Sequence, residues 1–311
     1  MSDASLPAAT GPAANSAPGS ASPALPTRRR IALSPGIRCA SPVIIFMALG
    51  FLAPLITVIG FSFAAPRTFA VFQTFTLENF AEIFNPADTV WMSFAWSLSL
   101  ALVTVLLLLI VCYPIAYGLV RVFGRWSSLI SILFVFPLFI SENVRLYGWT
   151  LFFINHGVLD GLLGQIGLSA PNVLYTPAIT LFGMVYTYVP FMLFPMTLGL
   201  AMVPGDLIEA AKDFGASRLM IWREIELPLA MPGILIGALL SFVLAAGAVA
   251  EAKILGGQSV IMISHDIEIA FTYSQNWPRG SALAVLLMIV IGGLSMAVMS
   301  RLDLDRILGR R

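Results

Sequence analysis

Residues 209–228 read EAAKDFGASRLMIWREIELP. This charged stretch is flanked by two long segments, 161–205 and 227–250, that carry no Asp, Glu, Lys or Arg, the second overlapping it only at Leu227 and Pro228. A charged side chain at the centre of a bilayer costs about 3 kcal/mol on insertion scales. The stretch therefore lies outside the apolar layer, and its flanks are free to cross it.

The same contrast runs through the whole chain. Of 311 residues, 59% are hydrophobic and 11% charged, and the mean hydropathy is +0.92. That is the composition of an all-α polytopic membrane protein. Windows without charge fall at 39–66, 89–120, 126–141, 161–205, 227–250 and 280–300. A hydrocarbon core of about 30 Å needs roughly 20 apolar residues as helix. All but the third window are long enough, and the third reaches only by continuing through Glu142 and Arg145 to Trp149. Six spans are expected.

Basic residues set the expected orientation, because short Arg- and Lys-rich loops stay on the cytoplasmic side. With the N-terminus inside, 13 of the 17 basic residues fall in cytoplasmic segments, and only Arg67, Arg145, Lys253 and Arg279 lie on or near the far side. Both termini are then cytoplasmic. Residues 1–38, built largely from Ala, Pro, Ser and Gly, hold too little bulky apolar surface to offset the entropy of ordering and are expected to form a disordered cytoplasmic tail. Residues 39–311 form the six-helix domain, with loop 203–229 on its cytoplasmic face. The run Arg28, Arg29, Arg30 is read as a topology anchor, since the span after it is too long for a signal core.

Within the loop, Asp206 is placed to cap a helix starting near Leu207, with Glu209 reaching back as in a capping box. Gly215 ends that helix, because glycine readily takes the left-handed conformation of a helix terminus. A second helix is expected from Ser217, stopped by Pro228 before the fifth span. Pro54, Pro114, Pro137, Pro190 and Pro195 interrupt the predicted spans and are read as kinks. Between spans three and four, Leu159, Leu162, Leu163 and Ile166 recur at helical spacing, as in a short helix on the outer membrane surface.

Ionisable residues at membrane depth are costly and have a reason to be there. Glu142 and Arg145 lie three apart, neighbours on one helix face, and are expected to pair at the outer end of span three. For a cationic solute, Glu142 and Glu251 supply countercharge, while Tyr147, Trp149, Tyr186 and Tyr188 offer ring faces to an ammonium group. These are the candidate solute-path residues. Each aromatic has an interfacial belt as its plainer reading.

Several function classes fall away. The only lysines, Lys212 and Lys253, follow Ala211 and Ala252, so a P-loop is absent and the chain does not itself hydrolyse ATP. Ser264, His265 and Asp266 hold the residue types of a hydrolytic triad, but adjacent residues do not supply its relay geometry. Only His156 and His265 are available as imidazole ligands, and no metal site is expected. Cys39 and Cys112 imply no disulfide framework. A net charge of +1 gives no reason to expect a nucleic-acid surface.

The order Glu209, Ala210, Ala211, Phe214, Gly215, Ile225, Leu227, Pro228 resembles the EAA loop of binding-protein-dependent ABC importer permeases. Beyond the tail, the stretches TLENF from Thr76, YPIAY from Tyr113, VRLYGW from Val144, LYTP from Leu174 and GMVYTYVPFMLF from Gly183 are similar to the spermidine/putrescine permease group of the PotB type. The resemblance implies a type I importer permease (MetI-like) fold in a bacterial inner membrane. It implies that the helix around Glu209 to Gly215 is a coupling helix seated in an ATPase subunit, and that the partners are an ABC ATPase dimer, a second permease or a second copy of this one, and a periplasmic solute-binding protein. The chain itself binds no cofactor; ATP and Mg reside on the ATPase. After span five the chain departs from the group: where relatives carry an acidic residue, Phe and Pro before Leu-Gly-Gly, it has Ala248, Val249, Ala250, Glu251, Ala252 and Lys253 before Leu255, Gly256, Gly257. A polyamine is the first expectation for the solute. The apolar spans alone also allow, as a second reading, a secondary transporter or channel acting without an ATPase and, as a third, a membrane scaffold.

Overall fold

The computed structural model of the chain describes residues 35–69, 75–85, 88–168 and 171–300. Most of the tail, its Arg28–Arg30 run and the basic C-terminal residues from Arg301 onward lie outside the described residues. Among those described, every regular element is helical.

Leucine, isoleucine, valine, phenylalanine and alanine dominate the long helices, and in lipid an apolar segment satisfies its backbone groups by closing its own helical hydrogen bonds. Helix α1 spans Pro35–Ser62, α2 is the short Glu78–Ile83, and α3 runs Val90–Tyr117 before a π turn at Gly118–Val122. Helix α4 (Ser127–Val135), with 3-10 turns on both sides, leads to α5 (Glu142–Phe153) and α6 (Val158–Gly164). Then come α7 (Pro177–Ala201), α8 (Gly205–Asp213), α9 (Arg218–Ile221), α10 (Leu227–Ala246), α11 (Ala250–Ile254), α12 (Ile263–Thr272) and α13 (Trp277–Met299). Among the described residues five helices are long and apolar enough to cross a membrane, and one bent pair makes a sixth.

That pair corrects the third expected span. It does not continue straight to Trp149: the segments Gly124–Phe139 and Glu142–Gly164 meet at 96°. Pro137 sits in the 3-10 turn Phe136–Phe139, and Ile140 (ψ 133°) and Ser141 (ψ 136°) are extended, so the backbone ladder is interrupted for two residues. Pro114, Pro190 and Pro195, by contrast, sit inside unbroken helices. The expected helix after span three exists as α6, and the fourth span begins only at Pro177, where Thr176 caps the helix by accepting from the Ile179 N–H.

Helices α3, α7 and α10 build the main core around Leu108, Cys112, Met184, Met192, Leu193, Met196 and Ala230, all fully buried. The contact between α7 and α10 is made by backbone. A Cβ on Gly233 would overlap the Pro195 carbonyl and lie 2.6 Å from the Gly199 Cα; one on Gly199 would lie 2.9 Å from the Gly233 Cα. Small residues allow this approach, and close van der Waals packing drives helix association where lipid offers no hydrophobic gain. A second cluster joins α2, α3, α12 and α13 through Ile83, Phe94, Ile263 and Leu283, and the Ile263 N–H donates to Ser97 Oγ at 2.8 Å.

Replacing Gly233 by Leu should cost about 1–3 kcal/mol by forcing α7 and α10 apart. Gly292→Leu, where an added Cβ meets nothing within 4 Å, should stay within about 0.5 kcal/mol. Thermal unfolding of the two variants in detergent checks the difference.

Candidate functional site

Two sites occupy different ends of the core. The first is the loop joining α7 to α10. Pro204 stands at the N-cap of α8 with φ −63° and ψ 132°, and no side chain caps the helix. This corrects the expected capping box: the helix begins at Gly205, two residues early, because Pro204 presets the entry and places Asp206 inside the first turn. There its carboxylate still complements the positive helix end. At the other end Gly215 takes φ +79°. Its N–H donates to the Lys212 carbonyl at 2.9 Å and the Ala216 N–H to the Ala211 carbonyl at 3.0 Å, the paired bonds of a Schellman motif. Ser217 then caps α9 by accepting from the Met220 N–H at 3.3 Å.

Pro228 does not stop the second helix. The chain runs without a break from α9 through a π turn, Trp222–Glu226, into α10, and Pro228 lies in the first turn of that last segment. The widened turn absorbs the proline, whose missing N–H and bulky ring an α-helical ladder would not accept without a kink. Ile225 and Leu227 face the core. Glu209 and Ala210 are exposed and Ala211 is half-buried. Phe214 is 92% exposed and is joined by exposed Leu219 and Met220. A groove of about 300 Å³ runs between Ala211, Phe214, Met220, Ile221, Glu224 and Ile225.

The loop is also tied to α3. Arg121, in the π turn after α3, donates from Nη2 to the Val203 carbonyl at 2.9 Å and sets Nε 3.8 Å from Glu226 Oε1. The Trp222 Nε1–H donates to the Tyr113 hydroxyl, with the rings edge to face at 6.1 Å. Sequence reading passed over both ties. Arg121 had a sufficient explanation in topology, and its partners lie about a hundred residues away.

The second site lies toward the far end of α10, beside Leu244, 17 residues from Leu227 and so about 25 Å along the helix. Here a cavity of about 520 Å³ is lined by Glu142 and Arg145 from α5, Thr187 and Tyr188 from α7, and Gly247 to Glu251. Four of the candidate path residues, Glu142, Arg145, Tyr188 and Glu251, thus share one wall-to-wall space. Glu251 is fully buried against the Thr187 and Tyr188 side chains, but neither carboxylate oxygen has a hydrogen-bond partner of good geometry. Helix α11 reaches this depth because α7 carries Gly183, where a Cβ would come 2.6 Å from Leu255 and 3.6 Å from the Glu251 side chain.

The expected ion pair between Glu142 and Arg145 is not formed. Arg145 instead holds its guanidinium 5.6 Å from the centre of the Tyr186 ring, with Nε and Nη1 unpartnered. The two residues begin α5 immediately after the bend, and each turns into the cavity separately. Tyr186 does not line the space; it packs edge-on against Trp149 at 5.5 Å. Trp149 is the centre of an aromatic cluster with Phe152, Phe153 and Phe182. Tyr147 lines a neighbouring cavity of about 700 Å³ with Asn143, Tyr175, Lys253 and Glu268. There Lys253 Nζ reaches both Glu268 oxygens at 2.8 and 3.1 Å. The lysine's hydrogen bond holds the Glu268 carboxyl below its ordinary range and raises the lysine's own. Among the described residues no group of three or more His, Cys, Asp or Glu is placed to hold a metal ion.

The profile of the family described as binding-protein-dependent transport system inner membrane component matches residues 118–307. The chain belongs to this family. It is 34% identical over 256 residues to the spermidine/putrescine transport system permease protein PotB of Haemophilus influenzae, across 80% of this chain and 88% of that one. It is 32% identical to PotB of Escherichia coli, across 79% and 90%. To the inner membrane ABC transporter permease protein YdcU of Escherichia coli it is 28% identical, across 76% and 78%. Among solved structures it is similar in fold to a bacterial ABC transporter involved in the import of the acidic polysaccharide alginate, with a TM-score of 0.69, 18% identity, and coverage of 86% of this chain and 97% of that one. A member of this family is a multi-pass permease subunit of an ABC importer in the inner membrane. It is not an enzyme, and ATP hydrolysis belongs to a separate subunit. Membership removes the reading of a transporter or channel that works without an ATPase.

An unpartnered buried carboxylate destabilises the resting protein by about 1–3 kcal/mol or more. Glu251→Gln should therefore raise the melting temperature of the purified protein, even where it harms function. A lower melting temperature would show that the carboxylate is satisfied at rest.

Proposed function

We propose that this permease forms one half of a path for a polyamine or related organic cation, driven by a separate ABC ATPase dimer that carries ATP and Mg. The other half is a related permease or a second copy of this chain. A periplasmic binding protein delivers the solute on the side of the Glu251 cavity, and loop 203–229 meets the ATPase in the cytoplasm, with both chain termini on that side. Residues 209–215 act as the coupling helix. The exposed Phe214 and the small residues Ala210 and Ala211 suit insertion into a partner's groove, and the Schellman end at Gly215 keeps the helix a rigid lever. The thirteen basic residues on the loop side support this orientation.

The solute assignment rests on one observation above all: the identity to PotB proteins extends over four fifths of the chain. The cavity supports it. Glu142 and Glu251 provide two carboxylates and Tyr188 a ring face in a space large enough for an aliphatic amine, and an ammonium group is the partner that the unpaired Glu251 oxygens lack. Arg145, held on Tyr186, keeps the cavity from collapsing into a permanent Glu142–Arg145 pair.

Purification of the complex with its ATPase and binding protein into proteoliposomes tests the reading by uptake of radiolabelled spermidine and putrescine. Uptake of either should fall at least about tenfold in Glu251→Gln, equivalent to about 1.4 kcal/mol, while ATPase activity persists. Glu209→Lys and Gly215→Pro should insert and assemble yet transport nothing. Equal uptake by Glu251→Gln would remove that residue from the path. Uptake of neither polyamine by the native complex would remove the solute assignment.

A further inference from the structure

Loop 203–226 is covalently continuous with α7 and α10 and with nothing else. The third wall of the core, α3, packs on α7 and α10 and, among the described residues, meets the loop through side chains. We propose that Arg121 is the positioning residue that transmits movement of this loop to α3. A side chain outside the loop thereby sets whether ATP hydrolysis reorients the cavity. The proposal rests on the coupling role assigned to residues 209–215 above.

Arg121 holds the two ends of the loop. Val203 is the first residue of the loop and Glu226 its last before α10. Both are buried, at 2% and 4% exposure. One guanidinium therefore grips both ends of the loop, by the 2.9 Å bond to the Val203 carbonyl and the 3.8 Å contact with the Glu226 carboxylate. A guanidinium presents donors in a fixed planar fork, which a lysine ammonium does not. At an exposed site an ion pair of this length contributes little. Here the carboxylate is out of water and cannot release the arginine without being left unpaired.

The attachment point is suited to the task. Arg121 lies in the π turn Gly118–Val122, where the helical ladder changes register and the end of α3 can shift relative to its shaft. Two turns back along α3, Tyr113 accepts from the Trp222 indole, and Trp222 opens the π turn on the loop side. The two π turns are thus joined by one charged contact, and the loop-side turn is tied to α3 itself by a hydrogen bond. The core of α3 beyond them, at Leu108, Val105 and Ala101, packs in the same cluster as Tyr188 and Met184 of α7. Displacement of α3 therefore reaches the wall of the Glu251 cavity.

The test separates transmission from mere bracing. Val249 lines both cavities and serves as a reporter: Val249→Cys, with Cys39→Ala and Cys112→Ala, is assembled with the ATPase and labelled by a maleimide with and without ATP and vanadate. In the otherwise native complex, nucleotide trapping should change the labelling rate at least about fivefold. Arg121→Gln, and the double variant Arg121→Gln with Glu226→Gln that leaves no buried unpaired charge, should assemble and hydrolyse ATP yet lose that change. Arg121→Lys should recover only part of it. A labelling change that persists in both glutamine variants overturns the proposal. So does a loss of labelling change and ATPase activity in equal proportion to lost assembly, which marks a brace. Gly215→Pro serves as the reference. A response lost there but kept in Arg121→Gln overturns the role of Arg121 alone, whereas a response kept in both overturns the coupling reading of the loop together with it.

Discussion

The backbone contact between α7 and α10 at Gly199 and Gly233 is the constraint on which the rest depends. The loop and the cavity are both made from the ends of these two helices. With the helices in backbone contact near one end, the segment joining them must close over a short gap. The chain meets that demand by starting α8 directly after Pro204 and reversing direction at Gly215. Wider spacing, as larger residues would impose, would leave Val203 and Glu226 too far apart for one arginine to hold. The same contact keeps α10 against α7 along its length, so that Gly247 to Glu251 arrive beside Thr187 and Tyr188 rather than in lipid.

Loop and cavity are linked through elements that are not plain α-helix. The π turns after α3 and before α10 lie where the chain must yield, and the bend between α4 and α5 lies where Glu142 and Arg145 enter the cavity. Regular helix transmits a push along its axis with little deformation, and breaks in the hydrogen-bond ladder permit rotation. The π turns and the bend lie at the loop and at the mouth of the cavity, and between them α3, α7 and α10 run on as helix through Pro114, Pro190, Pro195 and Pro232. In the proposed coupling, a displacement at the ATPase has to reach the cavity about 25 Å away along these helices.

What the sequence disclosed follows from the range of the interactions involved. Hydropathy marked the long helices because burial in lipid is a property of each segment alone. Gly215 and Ser217 were legible because a helix end is closed by residues within one turn of it. The capping role assigned to Asp206 failed by two residues, since Pro204 starts the helix without a side-chain cap. The stop assigned to Pro228 failed because a π turn, which no local pattern announces, makes room for it. The straight third span failed at Ile140 and Ser141, neither of which is a helix breaker by type. Arg121 with Glu226 and Tyr113 with Trp222 were invisible, because each pair joins parts of the chain about a hundred residues apart. In the cavity, residue types were legible and pairings were not: Glu142, Arg145, Tyr188 and Glu251 do share a space, but Arg145 turns to Tyr186 and Glu142 stays apart from it.

That last difference bears on how the cavity works. Had Glu142 and Arg145 paired, their charges would cancel and a cationic solute would first have to break the pair in a medium of low dielectric, where opposite charges attract strongly. Separated, and sharing the cavity with Glu251, they leave a negative site whose desolvation cost is already part of the folded protein. In the proposed path an entering ammonium gains the attraction without providing the full cost of stripping the carboxylate. Under the same proposal Arg145 opposes this gain usefully, since a site of two carboxylates alone would hold a dication too firmly to release it. A path, unlike a receptor, must bind weakly enough to let go, and a guanidinium within the same cavity as two carboxylates is a direct way to set that limit.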